Sequence, residues 1–152
     1  MLNLLDKAAV HCEQNQLRLT RPRKQVLRIV MEAGKPLGAY DILKQLALCI
    51  EEPKPPTVYR ALQFWCEEGF IHAIDSLKAY IACSHDHHIG EAQFFICNTC
   101  GDVTEEHSLI DKAALKASII KHQFKIKTCT TEIKGQCVNC KINGDDAPAP
   151  SP

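Results

Sequence analysis

The segment Thr57–Cys83 reads TVYRALQFWCEEGFIHAIDSLKAYIAC, and the fold turns on it. Val58, Leu62 and Trp65 recur at i, i+4 and i+7, one apolar face of a helix that Thr57 caps and Gly69 ends. Tyr59, Arg60 and Gln63 fall outside that face. Phe70–Asp75 and Ala79–Cys83 are short strand-like runs around Ser76-Leu77-Lys78, which predicts a hairpin. If the hairpin turns about Leu77-Lys78, His72 and Cys83 face each other with Cβ atoms about 5 Å apart.

Upstream, Leu2, Leu5, Ala9 and Cys12 predict an amphipathic helix over 2–15. Thr20-Arg21-Pro22 starts a second, with Val26, Leu27, Val30 and Met31 as its buried stripe and Gly34 as its stop. Arg18, Arg21, Arg23, Lys24 and Arg28 crowd its start, the wrong sign for the helix dipole unless that end faces phosphate. A third helix runs from about Ala39, carrying Ile42, Leu43, Leu46 and Ile50, and the prolines at 53, 55 and 56 stop it. Helices followed by a two-stranded hairpin make a winged helix-turn-helix, with the helix before the hairpin as the reading helix.

Beyond the polar, His-rich stretch 84–92, the chain reads as a small α/β unit. Strands are predicted over 93–97 and 102–106, a helix over about 109–122 with Ser108 and Asp111 as its capping pair, and a strand over 124–133. The fold class is therefore α+β: residues 1–83 a winged-helix domain, 84–92 a hinge and metal-binding loop, 93–142 a small α/β domain, to which the family resemblance set out below assigns dimerisation, and 143–152 a disordered tail.

The chain's 152 residues suit one domain or two small ones, and its zero net charge supplies no global field for nucleic acid. No apolar run approaches the roughly 18 residues of a membrane helix, and the N-terminus lacks the order of an export signal. The cytoplasm is the expected compartment. Nine cysteines in a reducing compartment point to metal before disulfides.

Cys97-x-x-Cys100 and Cys137-x-x-Cys140 supply the four soft ligands of a closed structural zinc site, on knuckle-like turns and not at a strand-to-helix start. The 36 residues between the pairs exceed an ordinary zinc ribbon and must hold inserted secondary structure. A second constellation gathers His72, Cys83, the histidines His85, His87 and His88, and Glu105. Ligands drawn from both domains would let metal binding fix their relative orientation, a physical basis for a switch. His122, with His85, His87 and an acidic residue such as Asp86 or Glu106, is a candidate for a third site; equally, it suits the negative end of its helix. His11 and His107 read as surface residues, and Cys12, Cys49, Cys66 and Cys129 as small buried hydrophobes. The candidate DNA-contacting residues are Tyr59, Arg60, Thr57, Lys54, Tyr40 and Arg23; Arg matches guanine bidentately, and Tyr meets a thymine methyl or a phosphate. No nucleophile–base pair or open catalytic metal position is expected.

Leu19-Thr20-x-x-Arg23, Lys54-Pro55-Pro56-Thr57-Val58-Tyr59-Arg60-Ala61-Leu62, the His-rich stretch before Phe95-Ile96-Cys97-x-x-Cys100-Gly101, and Cys137-x-x-Cys140 resemble the ferric uptake regulator family over about residues 2–142. The Pro-Pro-Thr-Val-Tyr-Arg-Ala-Leu string and Cys83 resemble its zinc-responsive branch, since a thiolate suits zinc better than ferrous iron. The resemblance implies a homodimer that binds operator DNA and represses zinc-uptake genes when zinc is replete. It implies two zinc ions per chain. One is structural; the other is regulatory, held by His72, Cys83 and Glu105 with His88, in preference to His87, as the fourth ligand. Arg21 before Pro22 departs from the family's Leu-Thr-Pro-x-Arg spelling, while Thr20 and Arg23 keep their places. Rival readings are the same fold sensing iron, manganese or peroxide, a zinc or thiol enzyme, and a zinc module that binds only protein.

Overall fold

Asn3 opens the first helix by accepting the Asp6 N–H on its side-chain oxygen at 2.9 Å. The computed structural model describes residues 3–84, 91–106, 111–126 and 129–142. The chain divides into two units, Met1–Ile89 and Gly90–Pro152.

In the first unit the helices are α1 (Leu4–Gln14), α2 (Arg21–Ala33), α3 (Ala39–Leu46) and α4 (Pro55–Glu67). Thr20 caps α2 through its hydroxyl, and Gly34 ends it at φ +59°, a left-handed conformation that costs glycine little. Helix α3 is shorter than its apolar spacing suggests. It stops at Leu46, whose carbonyl then accepts the N–H groups of both Cys49 and Ile50 at 2.9 Å, so a turn rather than helix brings Ile50 against the core.

Thr57 does not cap α4. The helix begins two residues earlier, with Lys54 at the cap position and Pro55 and Pro56 in the first turn. Prolines there need no capping partner, because the N–H groups they lack would have been unsatisfied anyway. Val58, Leu62 and Trp65 are buried as the pattern predicts. Trp65 anchors this core, donating its indole N–H to the Arg23 carbonyl at 2.7 Å and meeting Phe64 and Phe70 edge-on at 4.8 and 5.2 Å.

The wing comprises β2 (Ile71–Ile74), a 3-10 turn over Asp75–Leu77, and β3 (Ala79–Ala82); a short strand, β1 (Leu37–Gly38), pairs with the far side of β3. The hairpin register differs from the expected one by two residues. His72 pairs with Ile81, and Cys83 donates its N–H to Phe70 at 2.9 Å. The turn, residues 75–78, is centred one residue earlier than expected, with Lys78 in a left-handed conformation (φ 49°) directly after the 3-10 turn. A shift of two keeps every side chain on its face, so His72 and Cys83 become diagonal neighbours.

The second unit holds β4 (Glu91–Cys97), β5 (Val103–Glu106), α5 (Lys112–Lys121), β6 (Cys129–Gly135) and α6 (Val138–Ile142). The central strand β4 pairs antiparallel with β5 and parallel with β6, so α5 serves as the crossover helix. Asp111 itself caps α5, accepting from the Ala113 and Ala114 N–H groups; Ser108 and His107 lie outside the described residues, as does the predicted tail. The last strand starts at Cys129, later than expected. Helix α5 buries no residue in the single chain: Leu115 and Ile119 are half-buried, while Ala113, Ala117 and Ile120 form an exposed stripe at i, i+4 and i+7, and Phe124 just beyond the helix is exposed too.

Candidate metal centres and nucleic-acid face

Cys97 ends β4, and the chain turns through Asn98–Gly101 back into β5. Gly101 (φ +74°) returns its N–H to the Cys97 carbonyl at 2.9 Å, and Cys97 donates to Asp102 at 2.9 Å. The second pair sits differently from expectation: Cys137 and Cys140 straddle the start of α6. The two turns are tied by Asn98 N–H to the Gly135 carbonyl at 2.8 Å and by Gln136 Nε2 to Thr99 Oγ1 at 3.3 Å. All four sulfurs lie within 4.8 Å of one another, with Cys97–Cys140 and Cys100–Cys137 each at 3.8 Å. A tetrahedral ion with Zn–S bonds of about 2.3 Å has S–S edges of about 3.8 Å, so the donor set fits zinc. A redox pair would instead bring two sulfurs to about 2 Å and leave the other two aside.

The local hydrogen bonds favour thiolates unequally. Backbone N–H groups of Cys100 and Cys137 aim at the Cys97 sulfur, the latter at 3.3 Å, and bring its pKa down to about 6. The Cys140 thiol is pushed up to about 12 by its hydrogen bond with Cys137, then by desolvation and the other two sulfurs. Four crowded thiols cannot all ionise without a cation among them; a divalent ion removes that conflict.

The second constellation is partly assembled within the first unit. His72 on β2 and Cys83 after β3 are both buried, and their ligand atoms lie within 4.8 Å of each other. An imidazole and a thiol at that separation suit one tetrahedral zinc ion. Glu105 belongs to the second unit, half-buried on β5 opposite Phe94. His85, His87 and His88 lie outside the described residues. His122 is exposed at the C-cap of α5, with its N–H on the Ser118 carbonyl.

Of the candidate DNA contacts, Tyr59 and Tyr40 are 56% and 68% exposed, and Arg60 is exposed beside Tyr59 on the outer face of α4. Lys44 Nζ lies 4.4 Å from the centre of the Tyr40 ring, which holds that ring outward at the start of α3. Lys54 is exposed near Glu52 at 4.0 Å, and Thr57 is half-buried with its N–H on the Lys54 carbonyl. Arg23 is different. Its guanidinium stacks 3.6 Å over the Phe64 ring and donates to the Arg18 carbonyl at 2.6 Å, while Arg21 donates to the Cys49 carbonyl at 2.9 Å. Two of the cations at the start of α2, Arg21 and Arg23, thus have partners inside the domain.

Four further residues sit where sequence reasoning did not put them. His11 is not a free surface residue: its Nε2 lies 2.7 Å from Glu68 at the end of α4, and its ring meets Phe70 edge-on at 5.3 Å. Cys49 is exposed, and Cys66 and Cys129 are only partly buried, so Cys12 alone of the four is a buried hydrophobe.

Residues 14–134 match the ferric uptake regulator family. The chain belongs to that family. Among relatives of this Fur-family chain, the zinc uptake regulation protein of Escherichia coli (strain K12) is 36% identical over 138 residues, covering 90% of this chain and 81% of that protein. A ferric uptake regulation protein of Staphylococcus epidermidis is 31% identical over 137 residues, covering 86% and 92%. Among solved structures, a zinc uptake regulator complexed with zinc and DNA superposes with a TM-score of 0.84 at 35% identity, covering 92% of this chain and 94% of that one. The first unit presents an exposed face of α4 with Tyr59 and Arg60, and no helix among the described residues is long and apolar enough to cross a membrane.

Proposed function

We propose that this chain is a zinc-responsive transcriptional repressor that binds operator DNA as a zinc-loaded homodimer and controls zinc-uptake genes in the cytoplasm. The observation that carries this reading is the buried His72–Cys83 pair on the wing, in the strands that directly follow the helix presenting Tyr59 and Arg60. An ion held by that pair stiffens the element on which the reading helix rests. The thiolate of Cys83 favours zinc over ferrous iron or manganese. The likeness to zinc uptake regulators, in sequence and in fold, supports the same choice.

Two zinc ions per chain belong to the proposal: one structural, at Cys97, Cys100, Cys137 and Cys140, and one regulatory, at His72 and Cys83 with Glu105 and His88 as completing ligands. His122 with His85 and His87 would add a third. The uncovered residues Ala113, Ala117 and Ile120 on α5, with exposed Phe124 just after it, support pairing with a second copy, since exposed apolar surface on a small unit asks for a partner. Tyr59, Arg60, Tyr40, Thr57, Lys54 and Arg23 are the proposed DNA contacts. Catalysis has no part in this reading.

The test is binding of a selected DNA duplex at buffered free zinc, ferrous iron and manganese, with metal content measured alongside. Zinc alone should restore binding to protein stripped of its labile metal, with two zinc ions per chain. Restoration by iron or manganese at lower free concentration than zinc would refute the zinc assignment and leave the same fold sensing another metal.

A further inference from the structure

A groove of about 440 Å³ runs beside the reading helix, between the start of α3, the exposed face of α4 and the wing. Tyr40 and Tyr59 from the helices line it together with Ala73, Ile74, Ala79 and Tyr80 of the wing strands and Asp75 and Lys78 of the wing tip. Nothing in the family assignment gives the wing tip a role, and the sequence reading did not single out Lys78.

The wall chemistry limits what can lie there. Tyr40 and Tyr59 bring phenol hydroxyls, which donate to phosphate oxygens, and Lys44 over the Tyr40 ring adds a cation at the mouth. Lys78 is exposed and held by the left-handed turn after the 3-10 segment, so its Cα position is fixed even though its side chain is long. We propose that this groove seats one sugar-phosphate strand of bound DNA and that Lys78 is a phosphate anchor on the wing, in the same groove as Tyr40 and Tyr59. The occupant follows from continuity: a strand leaving the major groove read by Tyr59 and Arg60 must pass the neighbouring wall. Asp75 on that wall repels phosphate, so the strand fits with its charge toward Lys78 and loses affinity if shifted toward Asp75. The pair thereby fixes position without reading a base.

The inference rests on the DNA-binding reading, and the experiment separates the two. Salt dependence of binding is measured for the zinc-loaded full chain on a duplex selected from a random pool by the wild-type protein, and on an unrelated duplex. Lys78→Asn is the test variant, because asparagine tolerates φ 49° better than most residues while removing the charge. Loss of one phosphate contact per protomer should flatten the slope of log K against log salt by about 0.9, or about 1.8 per dimer. Affinity should fall about ten- to a hundredfold on both duplexes. Lys78→Arg should restore the slope, and Asp75→Asn should tighten binding. An unchanged slope for Lys78→Asn, with wild-type zinc content and melting and with Arg60→Ala still weakening binding, overturns the wing anchor alone. Failure of the zinc-loaded wild-type chain to bind any duplex overturns both readings.

Discussion

Replacing Cys100 by serine isolates what a metal contributes to the second unit. Cys100 is exposed, so the change from sulfur to oxygen removes almost no packing. The unit's apolar burial is meagre: Phe94, Ile96, Ala92 and Cys97 are its buried hydrophobic residues among those described, and α5 buries none. Fully buried Phe and Ile side chains contribute about 1.5–3 kcal/mol each, which is small beside the ordering entropy of some 50 residues. An ion held by the four sulfurs would supply the balance. Structural zinc binding is worth about 10–16 kcal/mol, so an even share per thiolate is about 2.5–4 kcal/mol. Cys100→Ser should therefore weaken zinc at this site by roughly two to three orders of magnitude and lower the melting temperature of the second unit by about 10 °C or more. The assay is zinc per chain after dialysis against a chelator of graded strength, followed by calorimetry. Cys49→Ser, equally exposed but with no partner sulfur, is the control and should shift stability by no more than about 0.5 kcal/mol. A Cys100→Ser protein with wild-type zinc retention and melting would refute the closed four-cysteine site.

Ile120→Glu should leave the single chain folded, since Ile120 is 68% exposed there, but should shift sedimentation equilibrium from dimer to monomer. His11→Gln should cost about 1–2 kcal/mol in urea unfolding of the first unit by breaking the half-buried contact with Glu68, with zinc content unchanged. The Cys66 thiol is pushed up to about 11, mainly by burial, so it favours the neutral form in the folded state. Its contribution to stability is fully present below the unfolded thiol range near 8.5–9 and is lost as pH rises through 11. At pH 8 iodoacetamide should label Cys49 in the native zinc-loaded protein and spare Cys66 and Cys12, whose thiol burial also raises; rapid labelling of Cys66, read by mass spectrometry, would contradict this.

The reading helix and the four-cysteine site were legible because each rests on a short-range signal. Helical period places Val58, Leu62 and Trp65 on one face whatever the rest of the chain does, and two Cys-x-x-Cys turns carry their own geometry. Thr57 was misplaced as a cap because Pro55 and Pro56 looked like a barrier, when the first turn of a helix is where proline fits. The wing register was off by two because the left-handed turn at Lys78 leaves no mark that propensity can read. The consequence for His72 and Cys83 was nil, since an even shift preserves the face. The stacking of Arg23 on Phe64 is a tertiary contact across 41 positions of sequence, beyond any local pattern. Strand β1, two residues long, is a strand only because β3 lies beside it.

The central claim is that zinc on the wing governs DNA binding, and it is met most directly by comparing the wild-type chain with Cys83→Ala on one selected duplex across a series of buffered free zinc concentrations. The wild type should pass from weak to tight binding as zinc rises, while Cys83→Ala, keeping its structural ion, should need far more zinc or fail to respond. Identical zinc dependence in the two proteins would contradict the account.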